Sequence, residues 1–332
     1  MTQLTPISIE DIEGFRFGSY TDTKAGTGCT VIVAPRGATG GVDVRGGAPA
    51  SRETDLLRPE NTVDTVHAVC LSGGSAFGLE AASGVARELE SRGMGVPVGP
   101  TQVPIVCSSC IFDLAFGDST VRPDVDAGIA ATRDALDGTD PLLEGNHGAG
   151  TGATVGKIMG PQRAMKGGLG VRALQLGPVK VGAIVSVNAC GDVVDPDTGQ
   201  KVAGMRTTAG SMQIGSSEDA ALAAADTLAM PLDRTNTTIS CIVTNVRLTK
   251  AQATKVAQMA ADAYAHAIRP THTTNDGDTI YVLASGAADE PAASLPLDLL
   301  GLLATKALEQ AIASGCRAAE TLHGVPGCAS LL

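Results

Sequence analysis

Residues 237–244, Thr-Thr-Ile-Ser-Cys-Ile-Val-Thr, constrain the fold of this chain more than any other stretch. β-Branched and apolar residues run together there without a charge, which reads as one buried strand. At its head stands Asn236-Thr237. A strand that opens with two threonines is ordinary, because Thr suits a pleated surface. The position also admits chemistry. If the Asn236–Thr237 bond were cut, Thr237 would hold a hydroxyl nucleophile and a free α-amine together. An α-amine has a pKa of about 7.7–8.0, so it can act as base near neutral pH without a histidine.

Composition bounds what such a strand can belong to. A chain of 332 residues, 43% of them apolar, can build one large domain or two ordinary ones. Its net charge of -11 and pI near 4.9 disfavour nucleic acid and anionic membranes as partners. Aromatic content of 2%, with no Trp, leaves no platform for stacking bases. The 41 glycines suggest close-packed layers and many turns. Residues 1–14 lack the basic and apolar regions of a signal peptide. The most apolar long run, 295–313, is broken by Asp298, Lys306 and Glu309, so no bilayer span is expected. These features predict a soluble cytoplasmic protein. Eight cysteines in this length do not form a dense disulfide framework, and Cys107 and Cys110 are the only close pair. No second pair or nearby histidine completes a zinc site, so no metal is expected.

Along the chain, 30–34 and 66–71 read as short strands, with the Gly-rich segment 36–60 between them as turns and loop. Leu71-Ser72-Gly73-Gly74-Ser75 leads into a helix to about Arg92, with Ser75 as N-cap and Gly93 as its stop. The two glycines there fit a plain tight turn, or a cradle for an anion or carbonyl. A second helix spans 124–136. Residues 148–157, Gly-Ala-Gly-Thr-Gly-Ala-Thr-Val-Gly-Lys, fail the phosphate-loop pattern and match the dinucleotide fingerprint only loosely; they read as a Gly-rich loop carrying Lys157 inward. Residues 181–187 form a strand ending in Asn188, a turn former and also a neutral donor suited to an oxyanion. Residues 216–230 are an Ala-rich helix, and 249–268 a helix with the capping box Thr249-x-x-Gln252. Asp276-Gly277-Asp278 precedes the strand 279–284; it fits a turn, or two carboxylates presented at a strand entrance. A long helix or broken pair closes the chain over 295–321. No internal repeat is present, and the alternation predicts sheets held between helix layers in one domain.

The chain resembles the N-terminal-nucleophile aminopeptidases, the L-aminopeptidase/D-Ala-esterase type that includes β-peptidyl aminopeptidases and 6-aminohexanoate-oligomer (nylon-oligomer) hydrolases. The resemblance covers nearly the whole chain. It is carried by Asn236-Thr237-Thr238-Ile239-Ser240, by 242–247, and by His272-Thr273 with Asp276-Gly277-Asp278-Thr279, all closest to the nylon-oligomer branch. Gly156-Lys157, Val187-Asn188 and the 71–74 turn with Gly78-Leu79-Glu80-Ala81 support it.

The resemblance implies an α/β fold, a four-layer α/β/β/α sandwich. It implies one hydrolase domain over 1–332, self-cut between Asn236 and Thr237 into pieces 1–236 and 237–332, with Thr237 as nucleophile. Lys157, Asn188, Asp276 and Asp278 match the family's other site residues, with Asn188 and a backbone N–H on the oxyanion. Asp276 and Asp278 set the charge state of the new ammonium and attract the substrate's amino end. The β-peptidyl branch has Ser-Gly-acid where this chain has Asp276-Gly277-Asp278, so a second-serine mechanism does not transfer. Implied partners are a small amide or oligomer substrate and further copies of the chain, as a homo-oligomer, a tetramer; no cofactor is needed. Three readings stand beside polyamide hydrolysis: an aminopeptidase without polyamide activity, an acyltransferase like the ornithine acetyltransferases, and an uncleaved scaffold.

Overall fold

The structure, a computed structural model, describes residues 4–225, 236–288 and 295–331. Nine main strands are labelled here in chain order: β1 (Leu4–Ile7), β2 (Arg16–Asp22), β3 (Thr27–Val44), β4 (Val66–Ser72), β5 (Val106–Cys110), β6 (Gly168–Leu176), β7 (Val179–Asn188), β8 (Thr237–Thr244) and β9 (Thr279–Ala284). The helices are α1 (Ala81–Ser91), α2 (Val125–Asp137), α3 (Ser217–Ala225), α4 (Lys250–Ala260), α5 (Asp262–Ala267) and α6 (Leu297–Ala318). The strand order is β1-β6-β7-β8-β9-β3-β4-β5, with β2 also on β3.

β3 makes two sheets of this path. Its first part pairs with β2 and β4, and residues 39–44 pair with β9. A register irregularity between Val33 and Ala38 marks the passage from one sheet to the other. Side chains then sort by the two-residue period of a strand. Ile239, Cys241, Val243, Tyr281 and Leu283 meet Ile32, Val69 and Leu71 between the sheets. Ile242, Ile280 and Val282 point the other way, onto α4, α5 and α6. Val31, Val33, Ala68 and Cys70 pack under α1 and α2. Helix, sheet, sheet, helix is the four-layer sandwich. β8 is buried along its full length, as its composition predicts, because a central strand here has a layer on each side. Each buried Ile or Val in it contributes about 1.5–3 kcal/mol by leaving water.

Two local expectations are corrected. The Gly-rich segment after Ala34 does not turn; strand continues to Val44. Its glycines serve close packing: a Cβ on Gly41 would lie 2.4 Å from the α4 backbone at Ala253 and Thr254. Ser75 is not a helix cap; it sits at φ 54, follows Gly74 at φ 84, and a 3-10 turn (Ser75–Glu80) precedes α1. The cap signals of α2 and α4 hold. Asp124 caps α2 by accepting from the Ala127 amide at 3.0 Å, and Thr249 with Gln252 forms the capping box of α4. The Ala-rich helix is present as α3; residues 226–230, and the loop leading to Asn236, lie outside the described residues. Among the described residues no helix is long and apolar enough to cross a membrane.

Candidate active site

Sheet register gathers the site. β7 runs antiparallel to β8 with Asn188 opposite Thr237. β9 runs parallel to β8, with Ile239 opposite Thr279, so the segment entering β9 lies beside the head of β8. A bridge pairs Asn236 with Asp276. Asn188, Thr237, Asp276 and Asp278, up to 90 positions apart in sequence, thus meet at one sheet edge. Each is at most 5% exposed.

The carbonyl oxygen of the Asn236–Thr237 bond is engaged from two sides. The Thr237 hydroxyl hydrogen-bonds the Asn236 carbonyl oxygen, and the Gly277 amide donates to the same oxygen at 3.2 Å. A Cβ on Gly277 would stand 2.9 Å from Thr237 Oγ1, so glycine leaves the room that the hydroxyl occupies. Asp278 Oδ1 accepts from the Thr238 amide at 2.7 Å, while its Oδ2 accepts from His272 Nδ1 at 2.8 Å. Asp276 Oδ2 accepts from the Thr273 amide at 2.5 Å. Burial, then the like charge of Asp278, pushes the Asp276 carboxyl up to about 6. A strap at residues 45–48, part of the segment expected to be loop, clamps this segment: the Arg45 and Gly46 amides donate to Asp278 O, and the Ala48 amide to Asp276 O. No local pattern in Arg45-Gly46-Gly47-Ala48 announces that task.

Lys157 arrives from the Gly-rich loop. Its own amide donates to Cys190 O, tying the loop to the end of β7. Its Nζ donates to Asn188 Oδ1 at 2.7 Å and Asn188 O at 3.1 Å. Burial drives the ammonium down to about 7, against the opposing pull of Cys190, Asp276 and Asp113. The Asn188 amide is oriented by backbone: Oδ1 also accepts from the Thr154 amide at 3.0 Å, and Nδ2 donates to Phe112 O at 3.0 Å. Its oxygen therefore faces Lys157. The site holds a hydroxyl against a carbonyl, a backbone donor on that carbonyl, and a lysine and an acid that both exchange protons near neutral pH. That set suits nucleophilic attack on an amide.

Residues 8–329 match peptidase family S58. The chain belongs to that family. It is 40% identical, over 96% of its length and 92% of the relative's, to an uncharacterized aminopeptidase of Mycobacterium leprae (strain TN). It is 33% identical, over 85% of its length and 76% of the relative's, to the 6-aminohexanoate-oligomer endohydrolase of Kocuria sp. (strain KY2). Among solved structures, the L-aminopeptidase D-Ala-esterase/amidase of Ochrobactrum anthropi superposes with a TM-score of 0.68 at 19% identity, covering 98% of this chain and 91% of that one. That likeness is one of fold, and it is the N-terminal-nucleophile hydrolase fold. Membership of family S58 makes the chain a hydrolase of amide bonds.

Beside Lys157, this S58 chain has a pocket walled by Phe112, Asp113, Phe116, Pro161, Ala164 and Val325. Asp113 was not singled out from the sequence. It accepts from Thr27 Oγ1 at 2.7 Å and from the Gly74 amide at 2.6 Å, and burial raises its pKa. The glycine turn at 73–74 therefore spends its amide on Asp113. Lys166 was also missed. It is fully buried, 4.2 Å over the Phe116 ring, donating to Thr151 O and Ala153 O at 2.7 Å each. Burial lowers it too to about 7. A lone Lys between Met165 and Gly167 carries no signal that could have revealed this.

Proposed function

We propose that this chain is a self-processing N-terminal-threonine amide hydrolase, acting on short peptides and amides with a free amine and on linear 6-aminohexanoate oligomers. One observation carries the reading: the Thr237 hydroxyl lies against the Asn236 carbonyl oxygen, which also accepts the Gly277 amide.

That geometry supports a route for self-processing. Thr237 Oγ1 attacks the Asn236 carbonyl carbon and gives up its proton; the electron pair moves onto the carbonyl oxygen, where the Gly277 N–H meets it. Collapse breaks the C–N bond and protonates nitrogen, turning amide into ester. Water then hydrolyses the ester, leaving an Asn236 carboxylate and a free Thr237 α-amine. With a pKa of about 7.7–8.0 for such a group, the new amine takes the hydroxyl proton in later turnovers. Asp276 near 6 and Lys157 near 7 both titrate close to neutrality, so either can exchange a proton during the cycle. A substrate amide repeats the sequence: acyl-threonine ester, then release by water. The 33% identity to an oligomer endohydrolase supports polyamide oligomers within the substrate class.

Intact-mass measurement of purified protein tests the first part. Two pieces ending at Asn236 and beginning at Thr237 are expected, and none from Thr237→Ala. A panel of p-nitroanilides, dipeptides and 6-aminohexanoate oligomers tests the second. Active protein that remains a single 33.4 kDa chain removes the proposal, as does equal amine release by Thr237→Ala.

A further inference from the structure

We propose that His272 is a positioning residue for the acid pair: it fixes the Asp278 carboxylate against the amide following the nucleophile and supplies the positive charge that leaves the pair's proton on Asp276. This rests on the self-processing reading and adds to it a residue that no sequence argument placed in the chemistry.

The geometry is a closed circuit around Thr238. Asp278 Oδ1 accepts from the Thr238 amide. Asp278 Oδ2 collects three donors from the preceding turn: His272 Nδ1 at 2.8 Å, the His272 amide at 3.2 Å and Thr271 Oγ1 at 3.3 Å. A carboxylate can only accept, so Nδ1 carries the hydrogen. The imidazole stacks on Tyr264, centroids 5.2 Å apart and planes at 24°. The buried Tyr264 hydroxyl returns to β8, donating to Thr238 O at 3.2 Å and meeting Ser240 Oγ at 3.0 Å. The residue after Thr237 is therefore held at its N–H through Asp278 and at its carbonyl through Tyr264, and His272 joins the two. His272 itself sits at φ 55, a left-handed conformation that costs a non-glycine residue and persists only where surroundings impose it.

The charges around the ring act in one direction. Asp278 faces it from its own loop, with Asp276 beyond. From α5 comes the neutral Tyr264, and the Ala261 backbone just before that helix favours the charged ring. From the strap comes Arg45, which opposes it but is paired with Asp43 at 2.5 Å. Lys157 acts on Asp276, whose carboxyl its charge lowers. Burial pulls the imidazole down, but the hydrogen bond and charge of Asp278 outweigh it and the ring's pKa ends above its ordinary value. A cation on one side of two neighbouring carboxyls stabilises the nearer anion, and the shared proton then resides on the farther acid.

Two variants separate charge from shape. His272→Phe keeps a ring for Tyr264 but removes hydrogen bond and charge. His272→Asn tolerates the left-handed backbone and offers an amide donor without charge. Self-cleavage is followed against pH in precursor preparations whose circular dichroism matches wild type. Both variants should move the acid limb of the profile up by about one pH unit, since an uncompensated acid pair holds its proton longer. Above that limb, His272→Asn should regain most of the rate, and His272→Phe should stay slower by about tenfold or more, as for other residues that orient a working group. Acid limbs superimposable on wild type in both variants overturn the proposal.

A second readout is independent of cleavage. In Thr237→Ala, the imidazole signal missing from the His272→Phe variant is titrated by NMR, with and without Asp278→Asn. The added substitution should lower its midpoint; an unchanged midpoint also overturns the proposal. If the wild-type chain never cuts itself, the hydrolase reading falls, and this titration still decides whether His272 is coupled to Asp278.

Discussion

Lys157 and Lys166 have ammonium groups enclosed by protein, and burial lowers both to about 7, yet their surroundings give them different work. Lys166 donates to two backbone carbonyls of one loop and lies over a phenyl ring, an arrangement that closes the loop and exposes nothing to substrate. Lys157 is only half-buried overall; it holds the side chain of Asn188, the residue opposite Thr237, and borders the pocket. Burial makes a lysine able to lose its proton near neutral pH. What it then does depends on whether a reacting group is within reach. The pair separates perturbation from function, and variants of each can be used to break the distinction.

The largest effect is expected for Lys157→Met. Self-cleavage should slow by about a hundredfold or more, the scale of a lost proton-transfer group, with unfolding temperature little changed. Measured precursor half-lives decide this. A Lys157→Met chain that processes normally while Lys166→Met does not would invert the assignment of the two lysines.

Asp276→Asn tests the acid side of the site. Asp276 is raised to about 6, so its carboxylate, the form able to take a proton, appears as pH rises through 6. Wild-type self-cleavage should rise across the same interval, and the Asn variant should be slower by about tenfold or more and lose that limb. The turn itself accepts the change, since Asn-Gly turns as readily as Asp-Gly. A pH profile identical to wild type would assign the motif to structure alone.

The smallest effect on chemistry is expected for Lys166→Met, which should process within a few-fold of wild type but melt lower. Two buried carbonyls lose their donor, at about 1–3 kcal/mol for each unsatisfied group, offset in part by removing a buried charge. The sign with pH is set by the lowered pKa. Between about 7 and the ordinary lysine value of 10.5 the unfolded chain holds a proton at Lys166 that the native chain lacks, so wild-type stability gains with pH across that window. Below it the burial penalty is fully present. The difference in melting temperature should therefore widen from pH 7 to pH 10. A constant gap would show that Lys166 is not buried in its neutral form.

Much of this molecule is legible in its sequence. The central strand 237–244, the strand ending at Asn188, the strand 279–284 and the helices begun by Asp124 and Thr249 all follow from local rules: which side chains suit a pleated surface, and which groups satisfy the first turn of a helix. Those rules act within a few residues, so one chain segment suffices to read them. The same economy made Asn236-Thr237 and Asp276-Gly277-Asp278 conspicuous as small polar groups at strand entrances. Tertiary structure alone decided the rest. Asn188 faces Thr237 because β7 is antiparallel to β8, and the two acids lie beside the Asn236–Thr237 bond because β9 is parallel to it. The 45–48 strap, Asp113, Lys166 and the His272–Tyr264 stack join residues from distant parts of the chain or owe their effect to burial. Strand pairing and desolvation are properties of neighbours in space. A lysine reads the same in sequence whether it meets water, two carbonyls, or the side chain of Asn188 opposite Thr237.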